Sequence, residues 1–170
     1  MDLKNYKNIT VRPFEPADIP TMTEIWNEVD ENGDAFPQDK PMDISEAERF
    51  FAGQTFTGVA EYKGEVSGLY ILHPNNVGRC GHISNASYAV SSKVRGKGIG
   101  RVLVEHSLFM ARQKGFRILQ FNAVVASNKA AIALYEKLGF NTIGTVKDGY
   151  FNKNEEYEDI ILFYHDLDTE

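Results

Sequence analysis

The run Val90-Ser-Ser-Lys-Val-Arg95-Gly-Lys-Gly-Ile-Gly100-Arg passes from an apolar segment through a glycine-rich, basic turn straight into an amphipathic stretch. A backbone anion site is written this way. Gly96, Gly98 and Gly100 reach dihedrals closed to other residues. Lacking a Cβ, they also let a phosphate approach N–H groups that a helix start leaves unpaired. The helix macrodipole adds partial positive charge at the same point. Two common phosphate readers do not fit. A P-loop needs Gly-Lys followed by Ser or Thr, whereas Gly96-Lys97 is followed by Gly98; the dinucleotide fingerprint needs GxGxxG, whereas these glycines are spaced GxGxG. A nucleotide-binding βαβ unit also wants an acidic residue at the end of the next strand, and that position reads Phe121-Asn122. The pattern that remains is Arg-x-x-Gly-x-Gly, filled by Arg95, Gly98 and Gly100.

Downstream come a strand-like run, Arg117 to Asn122, and then Asn128-Lys-Ala-Ala-Ile-Ala-Leu-Tyr135-Glu-Lys-Leu-Gly-Phe140. Asn128 and Tyr135 are seven residues apart, which places them on one face of a 3.6-residue helix. The two stretches, in this order between Val90 and Phe140, resemble the two signatures of the GNAT (GCN5-related) N-acetyltransferases, which hold the diphosphate of coenzyme A. The resemblance implies an α/β fold with a mixed, twisted central sheet of six to seven strands, splayed in the middle, and about four helices on both faces. It implies acetyl-CoA as cosubstrate, with Arg95, Gly96, Lys97, Gly98, Ile99, Gly100 and Arg101 around the diphosphate and Asn128 on the same ligand. Backbone groups of Tyr88 and Val90 pair with the pantetheine arm in that family pattern, and an N–H near Ala89 or Val90 polarises the thioester carbonyl. Tyr135 takes the role of proton donor to the departing sulfur.

Periodicity outside the motifs predicts the remaining elements. Ile9 to Pro13 reads as an edge strand, and a helix runs from Asp18 as N-cap to Val29 with Ile19, Met22, Ile25, Trp26 and Val29 as its apolar stripe. Asp30 to Asp43 is acidic, aperiodic and carries two prolines, so it reads as a long loop, either functional or mobile. Ser45 to Glu48 is a capping box that opens a short helix through Phe51. Thr57 to Tyr62 and Val66 to His73 form a hairpin, and His82 to Val90 continues the sheet. A helix from Gly100 to Lys114 follows, ended by Gly115, with last strands at Asn141 to Lys147 and Tyr157 to His165. The predicted order is β-α-α-β-β-β-α-β-α-β-β.

The whole chain sets limits. At 170 residues, 42% hydrophobic and 25% charged, it suits one domain spanning 1–170. The N-terminus lacks a signal-like apolar stretch and no run is long enough to cross a bilayer, so a cytoplasmic enzyme with no membrane partner is expected. A net charge of −6 opposes nucleic-acid binding. The single cysteine, Cys80, excludes an internal disulfide. His73, His106 and His165 lack ligand-like spacing, so no metal is expected.

Acetyl transfer to an amine also needs a base and an acceptor pocket. Ile83-Ser-Asn-Ala-Ser-Tyr88 offers no carboxylate, where many GNAT members place a glutamate. Glu28, Glu31 and Asp34 are the carboxylates within reach as base or acceptor contact, and a solvated face is the competing reading for each. His82 is expected on the strand of Asn85, on the opposite face, in a structural role. Asn85 and Asn122 stand out, because strand centres are depleted in asparagine. His82-Ile-Ser-Asn85-Ala-Ser-Tyr88, followed by Phe121-Asn122 and Asn128, also resembles fungal acetyltransferases that act on azetidine-2-carboxylate and related proline analogues. A strand-capping role for both amides competes with that. The expected function is acetyl transfer to a small amine or amino acid in a ternary complex, with a possible homodimer through the C-terminal strand. The alternatives are a protein N-terminal or lysine acetyltransferase and a catalytically silent acyl-CoA sensor.

Overall fold

The hairpin Phe56–Tyr62 (β2) and Glu65–Pro74 (β3) anchors the sheet, closed by a two-residue Lys63-Gly64 turn with φ of 56° and 87°. The computed structural model describes residues 8–33, 36 and 40–168. Ile9–Pro13 (β1) pairs with β2 at one edge; Ile83–Val90 (β4) pairs with β3 on the other side, and Ile118–Val125 (β5) follows β4. Asn141–Phe151 (β6) and Tyr157–Asp166 (β7) complete seven strands in the order β1-β2-β3-β4-β5-β7-β6. The C-terminal strand is therefore interior, between β5 and β6. The free edge at that end belongs to β6, a correction to the expected dimer edge.

All neighbours are antiparallel except β4 and β5. Those two are parallel and pair only at Ile83 with Ile118 and Ser84 with Leu119. Past Ser84 they part, and β5 breaks register with β7 between Phe121 and Val124, a bulge that bends it away. From Asn85 to Val90 the edge of β4 that faces away from β3 has no strand on it among the described residues.

Helices Ile19–Asn32 (α1) and Ile44–Ala52 (α2) cover one face, and Ile99–Gln113 (α3) with Lys129–Lys137 (α4) cover the other. On the α1 side Trp26 is 1% exposed and stacks on Phe36 at 4.2 Å between ring centroids, with Phe50 and Phe51 edge-on. On the α3 side Leu103, Leu119, Phe121, Phe140 and Phe163 form the second core. Burying each such side chain stabilises the fold by about 1.5–3 kcal/mol.

Several ends differ from expectation for local reasons. α1 extends past Val29 to Asn32, since Gly33 (φ 64°) supplies its left-handed stop. The capping box of α2 is Asp43 with Glu46, two residues before Ser45 to Glu48: the Asp43 carboxylate accepts from the Glu46 N–H at 2.8 Å and Glu46 accepts from the Asp43 N–H at 3.1 Å. Asp18 does precede α1, but its carboxylate is taken by the Arg12 guanidinium at 2.7 and 2.9 Å and by the Glu15 N–H. The Arg12 bond holds Asp18 below the usual carboxylate range. His82 lies in the exposed turn before β4, not on the strand. The segment expected as a long loop, functional or mobile, is anchored at Met42 and at Phe36. Asn27 exchanges two hydrogen bonds with the Met42 backbone, at 2.9 and 3.0 Å, and the Tyr150 hydroxyl donates to the Phe36 carbonyl at 2.9 Å. Asp34 lies outside the described residues.

Candidate active site

Where β4 and β5 part, a cleft of about 1100 Å³ opens through the sheet. Alternation along the strands sorts its lining into two halves. Tyr88 and Phe121 point to the α3 side with Tyr135 of α4, whereas Asn85 and His73 share the α1 side with Ile71, Phe36 and Phe50.

The first half is built around the start of α3. Gly98 is the N-cap, left-handed at φ 83°, and offers no side chain to cap the N–H groups behind it. Gly96 has φ 76°, and a Cβ there would meet nothing within 4 Å, so the approach to this backbone is open. Arg95 and Gly100 line the cleft beside it. These features fit a polyphosphate: orphan donors, a dipole end and a cation at one place. Lys97, in the same turn, is exposed and is not among the residues that line the cleft. For three residues named from the sequence, the side chain is engaged away from the cleft. Arg101 is bound by Glu105 at 2.8 Å along its own helix and does not line the cleft. The side chains of Ile99 and Ala89, each 1% exposed, are packed in the two cores, which leaves only their backbone available.

Asn128 caps α4, its Oδ1 accepting the Ala131 N–H at 3.1 Å, and it faces the cleft together with Tyr135. The Tyr135 ring lies 4.5 Å from Phe121 and 5.5 Å from Phe140 between centroids. That burial pushes its phenol well above the ordinary tyrosine range, so it holds its proton. Tyr88 is held protonated for the same reason, but its hydroxyl is engaged with Ser107 Oγ at 2.6 Å. Tyr135 is therefore the better-placed donor.

In the second half the two asparagines singled out by sequence do come together, through a third. Asn122 Nδ2 donates to Asn75 Oδ1 at 2.5 Å, Asn85 Nδ2 donates to the same oxygen at 3.5 Å, and Asn75 returns a bond to Asn122 Oδ1 at 3.3 Å. Gln120 Nε2 also donates to Asn122 Oδ1, at 2.9 Å. The bulge on β5 is what exposes Asn122 here. Asn75 and His73 were missed as site residues, because their place depends on the β3–β4 register and nothing local announces it. Glu28, expected at the acceptor, is displaced. Its carboxylate accepts the Ser92 N–H at 3.3 Å, over a separate small pocket, while neighbouring Val29 lines the cleft. Glu31 does not line the cleft either.

Comparison with known proteins identifies the family. The model of the Acetyltransferase (GNAT) family matches residues 19–140. The chain is 34% identical over 166 residues to N-acetyltransferase aca1 of Schizosaccharomyces pombe, covering 86% of this chain and 79% of that one. It is 40% identical over 74 residues to the ribosomal protein bS18-alanine N-acetyltransferase of Escherichia coli, covering 44% of this chain and 49% of that one. A GNAT superfamily phosphinothricin acetyltransferase from Sinorhizobium meliloti, solved in complex with acetyl-CoA, superposes with a TM-score of 0.85 at 26% identity over 94% of this chain and 89% of that one. The chain belongs to the GNAT family and is an N-acetyltransferase that acts with acetyl-CoA.

Proposed function

We propose that the protein, acting as one acetyltransferase domain, transfers the acetyl group directly to the amine of a small amino acid or related molecule in a ternary complex. The observation that carries this reading is the acceptor half of the cleft: the neutral amides of Asn85 and Asn122 face it, and no carboxylate is among the described residues that line it. A basic peptide calls for acidic groups, whereas a substrate carboxylate calls for N–H donors without nearby negative charge. The narrower resemblance to proline-analogue acetyltransferases points the same way.

Acetyl-CoA supplies an activated acyl group on a thioester sulfur. Arg95 and the backbone from Gly96 to Gly100 hold the diphosphate, and the open edge of β4 between Tyr88 and Val90 takes the pantetheine arm as an added strand. Asn128 faces the same arm from α4. Tyr135, kept protonated by burial, donates to the sulfur as charge develops there. Asn85 and Asn122 orient the acceptor from the opposite face. We place the enzyme in the cytoplasm; among the described residues no helix is long and apolar enough to cross a membrane. A second copy is assigned to the β6 edge, which exposes Ile143, Val146 and Phe151.

A second reading, acetylation of a protein N-terminus, draws on the match to the E. coli alanine acetyltransferase. A turnover screen of azetidine-2-carboxylate and small amino acids against alanine-initiated and lysine peptides separates the two. The proposal expects saturable thiol release with the small acids, and turnover confined to peptides contradicts it.

A further inference from the structure

We propose that His73 is the general base that accepts the proton lost by the acceptor amine. The glutamate that sequence reasoning looked for on β4 is absent, and Glu28 is turned away onto Ser92. Among the described residues lining the cleft, the side chains able to gain or lose a proton are His73, Tyr88, Arg95, Lys129 and Tyr135. Both tyrosines are held protonated by burial, and Tyr135 is committed to the sulfur. Arg95 and Lys129 are cations with no lone pair to offer and belong to the cofactor half. His73 is left.

Its placement and its tautomer both suit the task. His73 stands directly across from Asn85 in the β3–β4 register, so the two side chains share the face on which the acceptor is bound. Its Nδ1 lies 3.0 Å from the Pro74 carbonyl oxygen. A carbonyl only accepts, so in the neutral ring Nδ1 carries the hydrogen and donates it, and the lone pair resides on Nε2 at the far side of the imidazole. A bond to the main chain thus fixes which nitrogen is basic. In the step itself the amine nitrogen forms a bond to the acetyl carbon and loses its proton to His73 Nε2. The carbon–sulfur bond breaks with its electron pair on sulfur, and Tyr135 protonates that sulfur. Transfer of the proton from His73 to solvent, and of one from solvent to Tyr135, restores both groups. The assignment rests on direct transfer in a ternary complex and is independent of which amine is the acceptor.

The test uses His73→Ala and His73→Gln in the full chain, the second keeping bulk and a donor but no base. With acetyl-CoA and azetidine-2-carboxylate, kcat should fall on the order of 10²-fold in both variants. Thermal protection by acetyl-CoA should stay at the parent's level, and added imidazole should restore part of the His73→Ala rate. A His73→Gln enzyme at the parent rate, or a His73→Ala loss that imidazole does not restore, overturns the proposal. Parent turnover is measured first. If the parent acetylates peptides alone, the small-acceptor reading fails and the variants are scored on the peptide with the same expectations, which keeps the two failures apart.

Discussion

The two halves of the cleft are made differently. The cofactor half draws on one stretch of chain, from Tyr88 to Phe140, in which a glycine-rich helix start and a capped second helix carry their own geometry. The acceptor half is assembled from the end of β3, the middle of β4, a bulge on β5 and Phe36 from between α1 and α2. Local backbone rules build the first, and strand register builds the second. One half can therefore keep a fixed ligand while the other varies, and damage to one should leave the other's ligand untouched.

The largest effect should come from the cofactor half. Gly98→Val places a branched Cβ at φ 83° in the path of the diphosphate, a conformation that L side chains rarely adopt. Acetyl-CoA at 100 times its Kd stabilises the parent by about 2.7 kcal/mol, and that gain should vanish in the variant while a cooperative melt persists. Equal protection of both proteins would refute the cradle.

Tyr135→Phe comes next. It removes a proton donor without emptying the aromatic cluster of Phe121, Phe140 and Phe163, so acetyl-CoA affinity should stay within a few-fold while kcat drops on the order of 10²-fold. An unchanged kcat with saturating acceptor makes Tyr135 a packing residue.

Smaller effects distinguish two arginines that the sequence had grouped. Arg95→Ala should weaken acetyl-CoA on the order of ten-fold, as expected for loss of a charge-assisted contact. Arg101→Ala disrupts an i,i+4 pair with Glu105, a contact usually worth about 0.3–0.5 kcal/mol, and should change acetyl-CoA affinity by about two-fold or less. Titration calorimetry on the pair checks this. Equal losses would return Arg101 to the diphosphate.

The limits of the sequence follow the same division. Gly98, Asn128 and Tyr135 were legible because each acts through a helix whose start and period are local. The element order was legible too, from alternation and capping. Asn75 was not, since it reads as part of a turn after Pro74 and becomes a site residue only when β3 and β4 fix their register. His73 was weighed only as a metal ligand for the same reason. Glu28 sits one residue from cleft-lining Val29, and on a helix one residue is a rotation of about 100°. The insertion of β7 between β5 and β6 is a long-range pairing choice, so the free edge at that end is β6.

The central claim, that acceptor and cofactor are bound by separate faces of one splayed sheet, is tested most directly on Asn85→Ala and Asn122→Ala. For each, kcat/KM for azetidine-2-carboxylate and the Kd for acetyl-CoA are measured on the same preparation. Loss of a hydrogen bond in a desolvated site costs about 1–3 kcal/mol, so kcat/KM should fall on the order of ten- to a hundred-fold while the Kd for acetyl-CoA stays within about two-fold. A common factor lost from both constants would contradict the account, because the amides would then be holding the strands or the cofactor rather than the acceptor.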